Sequence, residues 1–167
     1  LARAVGVPFR LLDEVRAINV AQRDHVLDKL RNELWHLDGK TVTLLGAAFK
    51  PGTDDLREAP AVHLARALLD VGARVRAFDP IAHAAMAAEV PGVEPHDDVR
   101  AALRDAHAAV VCTEWDEVVA LAPEDYLGAL AYPIVIDGRN AHDPAAMLAA
   151  GVRYHSVGRA AAVAPAP

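Results

Sequence analysis

From residue 41 onward the chain repeats one unit: a short apolar, β-branched run followed by a segment of helical periodicity. The runs are "TVTLLG" at 41–46, "RVRAFD" at 74–79, "AHAAVVCT" at 106–113, "YPIVIDG" at 132–138 and "VRYHSVG" at 152–158. A brief extended piece, "VEPHD", lies near residue 95. The runs at 41–46, 106–113 and 132–138 are short and mostly apolar, as strands buried in the sheet are. Between them stand "APAVHLARALLDVGA", "PIAHAAMAAEV", "DDVRAALRD", "PEDYLGAL" and "DPAAMLAAG". Strand and helix in alternation predict a parallel sheet with right-handed crossovers and helices on both faces. The fold class expected is therefore α/β, a doubly wound, mainly parallel, Rossmann-like sheet. Hydrophobic residues make up 53% of the 167, yet aromatics only 5%, so small aliphatic side chains on closely spaced elements must fill the core.

A long helix precedes the repeat. From Pro8 to about Leu37, Leu11, Leu12, Val15, Ile18, Val26, Leu30 and Leu34 recur at spacings of three and four, the stripe of one helical face. Asn19 and Gln22 interrupt that stripe; they either reach solvent or bond to another element. The chain starts at Leu1 without methionine and enters this helix almost at once, which reads as a piece of something longer. The division expected is 1–38 for the helix, 39–158 for the α/β unit and 159–167 for a flexible tail, since "RAAAVAPAP" has no periodicity.

The formal charge of -6 is interspersed along the chain, which argues against nucleic acid as a partner. No apolar run approaches the roughly 18 residues of a membrane span, and no signal-peptide pattern opens the chain. With the single Cys112 no disulfide can form within the chain. No membrane association and a cytoplasmic location are the expectations.

In open α/β sheets ligands gather beyond the carboxyl ends of the strands. Three loops there carry chemistry: "GAAFKPGTDDLRE", "CTEWDE" and "DGRN". The first fails the G-x-G-x-x-G pattern because Ala48 stands where the second glycine belongs. Lys50 and Arg57 flank the Pro51-Gly52 turn ahead of a helix start, as an anion site requires. Asp54, Asp55 and Glu58 could equally neutralise both cations and cap the helix. Arg139, after a buried strand, is structural or ligand-binding with equal warrant. Cys112 ends an apolar strand and reads as a small buried hydrophobe. The eight histidines show no metal-ligand spacing, so no metal is expected.

"GAAFKPGTDDLREAP" resembles the signature G-x-A-F-K-x-x-T-D-D-x-R-E-S-P of the nucleotide-sugar 6-dehydrogenases. "TEWDE", "DGRN" and "YHSVGR" resemble further segments of the UDP-glucose dehydrogenases, in the same order. The resemblance implies a C-terminal UDP-binding domain preceded by the helix through which these enzymes dimerise. It implies NAD as cofactor, a UDP-sugar as substrate and a homodimer. Phe49, Lys50 and Arg139 then meet the substrate, and Arg57 reaches NAD bound on another domain. The family's nucleophilic cysteine lies in a G-F-G-G-S-C-F-P-K-D motif that this sequence lacks, so Cys112 is not its counterpart and no catalytic residue is expected here. GDP-mannose and UDP-N-acetylmannosamine dehydrogenases remain alternatives, as does a non-catalytic nucleotide-binding or dimerisation module. Ala59 departs from the family's serine, leaving in doubt any hydrogen bond that serine makes.

Overall fold

A computed structural model describes residues 10–159 of the chain. The start of the expected helix at Pro8 and the tail at 160–167 lie outside those residues. Helix α1 (Arg10–Leu34) leads into β1 (Thr41–Leu45), α2 (Pro60–Asp70), β2 (Arg74–Phe78), α3 (His83–Glu89), β3 (Val93–His96) and α4 (Val99–Leu103). Then follow β4 (Ala108–Val111), α5 (Asp116–Val119), α6 (Pro123–Ala129), β5 (Ile134–Asp137), α7 (Pro144–Ala149) and β6 (Arg153–Ser156). The six strands form one sheet in the order β3-β2-β1-β4-β5-β6, and every pairing is parallel. Right-handed crossovers put α2 and α3 on one face, and α4, α6 and α7 on the other. The Thr43 hydroxyl marks the second face, donating to Ala102 O of α4 at 2.7 Å.

The doubly wound expectation is met, and local chemistry explains the element ends. Pro60 opens α2, where a missing N–H costs nothing. Asp98 and Asp143 cap α4 and α7 by accepting from Ala101 N and Ala145 N. Ala59, which caps α2, offers no side-chain bond, so the acids of the preceding loop do not cap that helix. Two details differ from the sequence reading. The piece near residue 95 is a full strand paired with β2, and "DEVV", which begins in the second loop and runs past it, forms the one-turn helix α5. Four residues show no period; α5 forms because Val118 is buried beneath it.

Helix α1 joins the core with its second half only. Leu27, Leu30 and Leu34 are buried, and α1 packs on α2 and β5. Glu33 ties it to β6, pairing with Arg153 and lying 2.7 Å from His155 Nε2. Leu11, Leu12, Val15 and Ile18, in the first half, stay exposed.

Strand β1 sits between β2 and β4, where the strand order reverses. The chain leaves it through Gly46, at φ 89°, and a Cβ there would meet Thr113 N at 2.8 Å. On the other side lies Asp79, fully buried at the end of β2. Its Oδ2 accepts from Ala47 N at 2.8 Å, Ala48 N at 3.0 Å and Trp115 Nε1 at 2.9 Å. Its Oδ1 accepts from Ile81 N at 3.0 Å and Ala82 N at 2.7 Å. One carboxylate thus joins the loop after β1, the turn after β2 and the loop after β4.

Two substitutions test this junction by urea or thermal unfolding. Gly46→Ala adds a clash and a left-handed backbone strain, and is expected to destabilise by about 2–4 kcal/mol. Asp79→Asn turns an NH2 group toward donors and is expected to cost at least about 2 kcal/mol; wild-type stability in either variant would contradict the account.

Candidate functional site

Beyond the carboxyl ends of the central strands a cleft of about 620 Å³ opens. Its floor is the end of β4 through Cys112, and Gly138 and Arg139 of the loop after β5. One wall is Phe49 with the start of α2; the other is α1 at Asn19, Gln22 and Val26. The polar interruption of the α1 stripe therefore faces this cleft. Gly138 is close-packed here as well, since a Cβ on it would sit 2.9 Å from Val111 O.

Phe49 is half exposed and lines the cleft, and its N–H donates to Asp55 O at 2.9 Å across the turn. Lys50, next to it, is exposed and does not line the cleft. Arg57 is also outside the lining and points away on the surface, its Nε and Nη2 held by Asp55 at 2.9 and 2.7 Å. Those bonds are the main cause that pushes the Asp55 carboxyl down to about 2. So neutralisation within the loop is realised for Arg57. The structure brings Phe49 and Arg139 together in one cleft, and leaves Lys50 and Arg57 exposed outside its lining.

Arg139 is fixed at both ends. Its N–H donates to Asp137 Oδ1 at 2.9 Å. Its Nε and Nη2 donate to Glu114 Oε2 and Oε1 at 2.5 and 2.8 Å. This fork holds the Glu114 carboxyl below its ordinary value and raises that of the guanidinium. Asp137, fully buried, also accepts from His142 N at 3.1 Å and from Tyr154 Oη at 2.7 Å. His142 Nε2 lies 2.9 Å from Tyr126 Oη, and burial pushes His142 below its ordinary value. The DGRN turn is thereby pinned from three sides.

Cys112 is buried, and burial pushes its thiol up to about 12. A thiol so held is no nucleophile at neutral pH. Among the described residues no cluster of His, Cys, Asp and Glu could hold a metal ion, and no helix is long and apolar enough to cross a membrane.

Sequence reasoning missed Glu114 and Asp79. A signal was present for the second: "FDP" and "IDG" both place an aspartate at the end of a buried strand, and both carboxylates gather the amides of the following turn. For Glu114 the pairing spans 25 residues and no local pattern announces it.

Residues 43–144 match the model of the UDP-glucose/GDP-mannose dehydrogenase family, UDP binding domain. UDP-glucose 6-dehydrogenase TuaD of Bacillus subtilis is 41% identical over 162 residues, covering 96% of this chain and 35% of the relative. UDP-glucose 6-dehydrogenase AglM of Haloferax volcanii is 47% identical over 138 residues, covering 83% and 31%. Among solved structures, a UDP-glucose dehydrogenase from Pyrobaculum islandicum superposes with a TM-score of 0.77 at 28% identity, over 92% of this chain and 33% of that one. The chain spans about a third of the length of these relatives. With the family's UDP binding domain matched over most of the α/β unit, the chain belongs to the UDP-glucose/GDP-mannose dehydrogenase family.

Proposed function

We propose that this chain is the substrate-binding portion of an NAD-dependent UDP-glucose 6-dehydrogenase, and that its cleft receives the UDP moiety. The observation that carries the reading is the pairing, on one cleft, of an open aromatic face, Phe49, with a guanidinium held in fixed orientation, Arg139. A ring suits a base or sugar face, and a planar fork suits a phosphate oxygen pair. Lys50, exposed beside Phe49 in the chain, adds positive charge to the approach. The division proposed is a connecting helix at 1–38, the UDP-binding unit at 39–158 and a tail at 159–167.

NAD is proposed to bind elsewhere in the whole enzyme, with Arg57 reaching it from this side. The residues here do not fit the dinucleotide: a pyrophosphate cradle needs free amides after β1, and Ala47 N and Ala48 N are already bonded to Asp79. The covalent chemistry likewise requires a thiol other than Cys112. The exposed Leu11, Leu12, Val15 and Ile18 of α1 support a homodimer through that helix, since apolar faces of this kind are interaction surfaces. The cytoplasm is the compartment proposed.

Calorimetric titration of the chain with UDP and GDP tests the reading: UDP is expected to bind more tightly. Arg139→Ala should weaken UDP by about 10- to 100-fold, the loss of a charged hydrogen bond. Equal affinity for both nucleotides would refute the choice of UDP. Supplied with UDP-glucose and NAD, the chain alone is expected to form no NADH. For Cys112, a thiol reagent at pH 8 should react only after unfolding. Its proton is held more tightly in the fold, about 12 against the ordinary 9.0, so this contribution to stability is present below pH 9 and is lost as pH climbs toward 12.

A further inference from the structure

We infer that Glu114 is a positioning residue for the ligand-binding arginine: it holds the side edge of the Arg139 guanidinium so that the end edge is offered to UDP. The inference rests on the UDP-binding reading above and names a residue that reading did not use.

The geometry has two parts. Glu114 takes Nε and Nη2 of Arg139. A guanidinium carries five N–H groups in a rigid plane, so Nη1 and the second hydrogen of Nη2 stay available. Arg139 lines the cleft and Glu114 does not, so the carboxylate grips the fork from outside the ligand's space. The other part is the rigidity of Glu114 itself. Its neighbour Thr113 is fully buried and donates its hydroxyl to Ala48 O. Trp115, on the other side, is anchored through its indole to Asp79 at 2.9 Å. Glu114 is thus clamped between two anchored residues, one bonded to the loop after β1 and the other to Asp79 at the end of β2. Arg139, clamped at its backbone by Asp137, receives its second fixed point from that same junction.

A contrary role has an equally clear signature. A carboxylate paired with Arg139 could act as a rival to an anionic ligand, and removing its charge would then tighten UDP binding. Positioning and rivalry predict opposite signs. An arginine left without its partner regains its rotamers, and the ligand must order it again on binding.

The test is a double-mutant cycle on the full 167-residue chain, read by calorimetric titration with UDP. Glu114→Gln keeps the shape of the side chain but loses the charge and one of the two acceptors, so the two-point grip cannot form. Positioning predicts roughly 3- to 30-fold weaker UDP binding in Glu114→Gln, and no further weakening when Glu114→Gln is added to Arg139→Ala. Unchanged or tighter binding in Glu114→Gln overturns the inference. Equal weakening in the two backgrounds also overturns it, because the effect would then be a general disturbance of the loop. If Arg139→Ala alone leaves UDP affinity intact, the UDP-binding reading fails first and the inference with it.

Discussion

A single buried carboxylate sets the geometry of everything that follows. Asp79 receives five N–H donors, four from backbone and one from an indole, and none of them is charged. Its negative charge is stabilised by dipoles that the fold itself aims at it, so the loops cannot drift without leaving a buried charge poorly solvated. Because the donors come from three different loops, the carboxyl ends of β1, β2 and β4 are held in one relation. That relation closes the ring from Asp79 through Trp115 and Glu114 to Arg139.

The same carboxylate decides what the first loop can do. In a dinucleotide-binding unit the amides after the first strand face the pyrophosphate. Here the amides at Ala47 and Ala48 face Asp79, so a protein group fills the role of the anion. The cleft is lined by an aromatic ring and a guanidinium, Phe49 and Arg139, and not by a nest of free N–H groups, and under the proposed reading recognition passes to those side chains. The departure of Ala48 from the glycine pattern and the buried Asp79 are consistent with each other: the amide of Ala48 is already taken by a protein carboxylate, and no glycine is needed there to admit a pyrophosphate.

Most of the architecture was legible because it rests on local signals. Short apolar runs marked β1, β4 and β5, strands buried along their length, and Pro60 falls at the start of the helix expected after the first loop. What escaped were features without local period. The four residues of α5 take their helicity from the burial of Val118, and β3 takes its pairing from β2. At the site, the three loops could be named from the strand ends, and Phe49 and Arg139 do meet in the cleft. The sequence could not say which cation would face it, since that depends on partners fixed by tertiary contact.

The two arginines show why. Arg57 and Asp55 are two residues apart and lie on an exposed turn; a pair so local forms wherever the turn forms, and constrains nothing beyond it. Arg139 and Glu114 are 25 residues apart and close only when β4 and β5 stand side by side with their loops in register. Both guanidinia are neutralised by two hydrogen bonds to one carboxylate, and by composition they are indistinguishable. The local pair holds Arg57 on the surface, away from the cleft. The distant pair carries structural information, because it ties a side chain of the cleft to the junction at Asp79. An ion pair on this fold is therefore informative about function in proportion to the tertiary structure needed to form it.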